Sequence, residues 1–353
     1  MLLPGCIPAG YERPVGAGLA DDRPRQVDRD PSDPVERPAL PDQRPLDDGV
    51  VGVPNPKPAW EARPVTADAA QVDGSEYVVG RGDTLRSIGN ATGAGSEAIA
   101  RANGIEPPFM IQPGQRLTIP AGRYHLVQAG QTGIAIARAY GIDWSRIVTA
   151  NQLAEPYVLR VGQRVVIPGD AAVPRTPAER AAAFRLDIED LVTGAEPAQP
   201  EGQRPARAVV GTTRRLAPTT PIAAPAAFTS GFAWPLRGTI VNRFGRGASG
   251  VRNDGIKIAT PLDTPVRAAA DGTVAYAGTG VAGLGGLVML RHGGGWTSVY
   301  GHASRLLVQR GQAVKQGDIV AYSGDSGFAD RPELHFELRQ GRTAVDPLTR
   351  LPR

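Results

Sequence analysis

Along residues 75–170 the hydrophobic pattern passes through strand, helix, helix and strand, and then does so again. Glu76, Tyr77, Val78 and Val79, and later Tyr124, His125, Leu126 and Val127, form short runs of the strand type. A glycine turn follows each run. Thr84 or Thr132 then stands at an N-cap position, ahead of Leu85 and Ile88 or of Ile134 and Ile136. A second helix is predicted to end near Asn103 or Asn151, and a loop leads to closing strands at 116–119 and 164–167. The two blocks align without a gap. Gly82, Thr84, Ile88, Ile99, Asn103, Gly114, Gln115, Arg116, Ile119 and Pro120 recur as Gly130, Thr132, Ile136, Ile147, Asn151, Gly162, Gln163, Arg164, Ile167 and Pro168. Such a repeat predicts two small α+β units of βααβ order, at 75–120 and 122–170.

The period changes in residues 231–353. Short apolar runs at 265–268, 271–275, 287–290 and 319–322 lie between Gly-rich turns, which predicts an all-β domain. Asp271-Gly272 and the glycines at 293–295 suit hairpins. Between the patterned regions, residues 171–230 predict a flexible linker with one short helix at 177–192. Thr176 and Glu179 form a capping box with Pro177 at the first helical position. Phe184, Ile188 and Leu191 make an apolar stripe. A helix this short is marginal alone, so it is expected to dock, on a domain flank or over the cleft of the following domain. Residues 1–74 show no period and are rich in Pro and charge, which predicts a disordered tether. Extended as polyproline II it would reach on the order of 200 Å.

Composition agrees with several small domains on linkers: 353 residues include 33 Pro and 44 Gly with only 5% aromatics. The net charge of +4 is mildly basic and compatible with a carboxylate-bearing polymer. No basic stripe interleaved with aromatics exists, so nucleic acid is not an expected partner. No stretch of eighteen apolar residues is present to form a spanning helix. Cys6 is the one cysteine, so no intramolecular disulfide can form.

The opening run at 77–88 with its closing run at 113–120, both present twice, resembles the LysM module. That resemblance implies binding to the N-acetylglucosamine-containing glycan strands of peptidoglycan. The implied groove uses Gly82, Asp83, Thr84 and Leu85 with residues near 105–111 in the first copy. In the second copy it uses Gly130, Gln131 and Thr132, with Gly133 in place of the leucine. Two such units on one chain would gain avidity. Leu3, Pro4, Gly5 and Cys6 resemble the tail of a bacterial lipoprotein signal, which implies lipidation at Cys6 and a periplasmic protein held at the outer membrane.

Asn253 to Lys257, Tyr300 with His302, and Glu333 with His335 resemble the motifs of lysostaphin/LytM-type zinc peptidases, whose lysostaphin-like fold is a duplicated hybrid motif. In that family a first His, an Asp and a final His hold zinc. Here Asn253 and Lys257 stand in the first two slots, Glu333 replaces the other His of the last motif, and His335 remains. A catalytic zinc needs three ligands and an open position. A neutral amide ligates poorly, and an ammonium puts positive charge where the dication would sit. Neither metal nor other cofactor is therefore expected, His302 and His335 are read as vestigial, and Lys257 is expected to pair with Glu333.

The whole order resembles the NlpD-like murein hydrolase activators. It implies a non-catalytic protein that binds an N-acetylmuramoyl-L-alanine amidase and activates it during septal wall splitting. The expected docking groove is edged by Asn253, Lys257, Tyr300, His302, Glu333 and His335. Two alternatives remain at this stage: an active endopeptidase with a non-standard zinc site, and a purely structural wall-binding lipoprotein.

Overall fold

The segment ahead of the first repeat, expected to belong to the tether, carries two elements in the computed structural model. These are helix α1 (Ala59–Ala62) and strand β1 (Ala70–Val72). The described residues are 57–169, 176–211, 215–225, 228, 231–246, 252–279 and 281–353. All fall within one unit, Arg44–Arg353; Cys6 and the tether before residue 57 lie outside them. Trp60 accounts for the difference from expectation. It is 6% exposed and stacks on Tyr276 with ring centroids 5.7 Å apart. Burying one large aromatic is worth about 3 kcal/mol, enough to order a short polar segment that composition alone assigns to disorder.

In the first repeat β2 (Ser75–Val78) precedes α2 (Leu85–Thr92) and α3 (Ser96–Ala102), and β3 (Arg116–Ile119) closes it. Strands β2 and β3 are antiparallel, with Tyr77 opposite Leu117. The Thr84 hydroxyl accepts from the Ser87 amide while the Ser87 hydroxyl accepts from the Thr84 amide, so α2 starts on a capping box. Ile88, Ile99, Leu117 and Ile119 are fully buried. The second repeat has β4 (Gly122–Leu126), α4 (Gly133–Tyr140), α5 (Trp144–Asn151) and β5 (Arg164–Val166). Strand β1 adds to its sheet in the order β1-β4-β5, with Ala70 opposite Tyr124. The matched asparagines share one task. Asn103 donates to the Ile99 and Thr118 carbonyls and accepts from the Thr118 amide; Asn151 does the same with Ile147 and Val166. Each ties the end of the second helix to the closing strand.

The expected helix at 177–192 is two helices, α6 (Pro177–Ala183) and α7 (Ile188–Gly194). Asp187 is the reason. Its carboxylate caps α7 by accepting from the Asp190 amide at 2.8 Å, which needs a non-helical backbone at that point. The chain after Val192, expected to be flexible, is instead a strap laid on the protein. Ala198 and Ile222 are buried, and β6 (Val209–Val210) joins the C-terminal sheet.

The C-terminal domain is all-β, as the turn spacing predicts. Its strands are β7 (Thr239–Asn242), β8 (Gly245–Arg246), β9 (Arg252–Asn253), β10 (Ile256–Ala259), β11 (Pro265–Arg267) and β12 (Gly272–Gly278). They continue with β13 (Gly286–Gly293), β14 (Trp296–Leu306), β15 (Gln312–Val314), β16 (Ile319–Ser323), β17 (Glu333–Gln340) and β18 (Thr343–Val345). The main sheet runs β6-β15-β12-β13-β14-β17-β10-β7. Alternation sorts its faces. Val288, Leu290, Tyr300, Leu334, Phe336 and Ile258 enter one core. Leu287, Met289 and Val299 face the other way and meet Leu191 of α7 and Ile134 and Ala135 of α4. Helix α7 thus lies between the second repeat and the outer face of the sheet. Among the described residues no helix is long and apolar enough to cross a membrane.

Asp190, 6% exposed in α7, gives this contact a pH dependence. Burial, reinforced by the Asp187 charge, pushes its carboxyl up to about 7. A raised carboxyl favours the protonated folded form, so the stability it contributes is complete below the ordinary carboxylate range and is lost as pH rises through 7. Asp190→Asn is therefore expected to stabilise the protein by about 1–2 kcal/mol at pH 8 and to leave it nearly unchanged near pH 4. Urea unfolding at the two pH values checks this; an equal effect at both would refute it.

Candidate functional site

The strand pair β10–β17 builds the centre of the C-terminal site. Lys257 and His335 lie directly opposite each other in its register. Glu333, His335, Glu337 and Arg339 follow at every second position of β17, so all four project from the face opposite Leu334, Phe336 and Leu338. The pairing expected for Lys257 is present: its Nζ stands 2.7 Å from Glu333 Oε1. His335 Nε2 donates to Glu337 Oε1 at 2.8 Å, and Glu337 Oε2 accepts from Arg339 at 3.0 Å. Glu337 and Arg339 join the site without belonging to any of the motifs that mark it in the sequence. Their alternation with Leu334, Phe336 and Leu338 was the available signal.

His302 sits on β14 with φ at +63°. That left-handed backbone is unusual for histidine and persists only when the surroundings over-determine it. Its amide donates to the Leu284 carbonyl at 2.7 Å, and its Nδ1 donates to the Ser326 carbonyl at 2.8 Å. Burial holds this imidazole down to about 4, so it is neutral at physiological pH. Its Nε2 lies 3.7 Å from Glu333 Oε1 and has no hydrogen-bond partner among the described residues. The Nδ1 of His335 is likewise unpartnered.

Asn253 is committed to the backbone around it. Its side-chain amide donates to the Arg243 and Gly255 carbonyls, clamping the turn into β10. The Tyr300 hydroxyl accepts from the Ala269 amide and from Ser298 inside the core, where burial raises it to about 12. The expected docking groove is therefore nearly closed. Tyr300 is 0%, His302 2%, Glu333 2%, His335 5% and Asn253 9% exposed, while the Lys257 side chain keeps 22%. Of the six, Lys257 is the one a partner could touch without rearrangement.

A zinc ion does not suit this donor set. Unpartnered nitrogens of His302 and His335 are available, but Lys257, expected from the sequence in a ligand slot, brings an ammonium bound to Glu333, and the Asn253 amide is committed to backbone carbonyls. Among the described residues no group of three or more His, Cys, Asp or Glu side chains is placed to hold a metal.

In the first repeat Gly82 and Thr84 are exposed, and Asp83 accepts from the Tyr77 hydroxyl and the Gly80 amide. Leu85 is 8% exposed and packs in the core, while Phe109 and Met110 stand out on the facing loop. In the second repeat Gln131 and Thr132 are buried, bound to His125 and to the start of α4.

Family models match in three places: the LysM domain at 77–120 and 125–168, and peptidase family M23 at 251–347. The chain is similar to a lipoprotein NlpD/LppB homolog of Pseudomonas aeruginosa, 39% identical over 82% of this chain and 81% of that one. It is also similar to the cell division protein DipM of Caulobacter vibrioides, 45% identical over 35% of this chain and 21% of that protein. The murein hydrolase activator NlpD of Escherichia coli is 37% identical over 35% of this chain and 32% of its own length.

Proposed function

Because this chain belongs to the family of NlpD/LppB lipoprotein homologues, with paired LysM domains ahead of a peptidase M23 domain, we propose that it is a peptidoglycan-binding activator of murein hydrolases. It holds to the glycan strands and stimulates an N-acetylmuramoyl-L-alanine amidase in septal wall splitting without cutting the wall itself. The observation that supports this reading is the Lys257–Glu333 pair at 2.7 Å: with Lys257 taken as the counterpart of the family's Asp ligand, that position carries an ammonium already paired with a carboxylate. Lacking an activated water, the domain has no means of hydrolysis along the family's route. What remains is binding. An activator of this kind works by binding the amidase's open state better than its closed one. Lys257, the accessible residue of the site, and the rim around it are the surface for that contact. Attachment to the outer membrane through Cys6, facing the periplasm, completes the reading.

Dye-labelled sacculi test it. The protein alone should release no dye, and together with an amidase it should raise release about tenfold or more over the amidase alone. Chelator-sensitive release by the protein alone would establish an endopeptidase instead. Sacculus binding with no rise in amidase activity would establish a purely structural role.

A further inference from the structure

The two repeats have diverged in one respect that the alignment conceals. In the second, the space between the first turn and the loop before the closing strand is filled by the chain itself. Ala198 donates its amide to the Gln131 carbonyl at 2.7 Å. On the other side Gln199 donates to the Leu159 carbonyl at 2.8 Å and accepts from the Val161 amide at 3.0 Å. Bridges Thr132–Pro197 and Arg160–Gln199 complete a short strand inserted between both walls. Ala198 is 1% exposed and belongs to the core of the second repeat. Thr219 of the strap covers Gly130, 3.2 Å from where a Cβ would stand, whereas among the described residues nothing lies within 4 Å of that point on Gly82.

Three departures between the copies serve this contact. Val161 stands where the first repeat has Pro113, and a proline has no N–H to give Gln199. Trp144 stands in place of Ser96. Its indole donates to Thr193 at 3.0 Å and lies against Gly194, so it grips the end of α7 just before the inserted segment. Gly133 replaces Leu85, and a Cβ there would come within 2.6 Å of the Trp144 ring. The second repeat has thus exchanged a leucine for a glycine that leaves room for the Trp144 ring, gained that aromatic, which holds Thr193 and Gly194, and gained a donor, which holds Gln199.

We propose that the second LysM unit is a docking module for the chain's own segment 193–199, and that the first unit alone takes glycan. This rests on the reading of the first unit as glycan-binding. Main-chain bonds on both sides of an extended peptide are the general mode of strand addition, which needs little from the side chains beyond a small residue where the groove is deep. Ala198 supplies it. The avidity expected of two wall-binding units does not then arise. Instead the second unit fixes α7 and the strap, and through them the C-terminal domain, to the wall-bound first unit.

The test uses the full chain and two readouts. Hydrogen–deuterium exchange should find the amides of Ala198 and Gln199 slowed about a hundredfold or more relative to free backbone. Calorimetric titration with an N-acetylglucosamine hexamer should give one site per chain, with the hexamer slowing exchange at 82–85 and 105–111 and leaving 130–133 unchanged. Val161→Pro, which removes the donor to Gln199, should speed exchange at Gln199 about tenfold. Fast exchange at 198–199 in the unaltered chain, or no effect of Val161→Pro in a folded protein, overturns the docking and leaves glycan binding standing. Two hexamer sites, or a footprint at 130–133, overturn the division between the units. No binding of hexamer or sacculi, with 198–199 still protected, removes the glycan-binding reading and the division with it.

Discussion

Lys257→Met is expected to lower the unfolding free energy by about 3–5 kcal/mol at pH 7. The size follows from what is left behind. Glu333 is 2% exposed, and its Oε1 has Lys257 at 2.7 Å, with His302 held neutral beside it. Without the ammonium the carboxylate is a buried, uncompensated charge. The double variant Lys257→Met with Glu333→Gln removes that charge and should recover most of the loss, because an ion pair replaced on both sides is often nearly neutral. Urea unfolding of the single and double variants measures both. A single variant as stable as the unaltered protein would mean that Lys257 is a surface residue that happens to touch Glu333.

Glu196→Ala should be nearly as damaging, by about 3 kcal/mol, and for a reason located far from the cleft. Glu196 is 7% exposed and accepts from Arg291 at 3.1 Å and from Arg310 at 3.0 Å. Its carboxylate also receives the Ile222 amide. One strap residue thus neutralises two partly buried guanidinium groups of the C-terminal domain and holds a second stretch of the strap. Its removal leaves both cations without that partner and loosens the described strap residues around Glu196 and Ile222. Limited proteolysis should then cut within 195–225 under conditions that leave the unaltered chain intact. Unchanged cleavage and unchanged stability would show that the strap is held without the Glu196 ion pairs, by the burial of Ala198 and Ile222 and the main-chain bonds of 197–199 and β6.

Much of the site could be read from the sequence because it is local. The β17 row Glu333, His335, Glu337 and Arg339 is set by the two-residue period of a strand, and the Lys257–Glu333 pair follows from chemical need once the ligand slots are identified. The accessibility of the cleft was not readable in the same way. Tyr300 and His335 look like groove residues by motif, yet the first is wholly inside the core and the second is covered. Burial depends on what packs above a residue, and no short window of sequence contains that information.

The sequence by itself determined the two βααβ repeats, the all-β C-terminal domain and the residue types, Asn253 and Lys257, that stand where zinc ligands are expected, because each rests on periodicity or on residue identity within one segment. Only the tertiary structure decided that Trp60 is anchored on Tyr276, that the linker is a strap, and that the second repeat is filled by residues 197–199. Those contacts join residues tens to hundreds of positions apart, in segments whose average composition reads as disorder. A few buried groups on a partner surface, Trp60, Glu196 and Ala198 among them, are enough to offset the ordering entropy there.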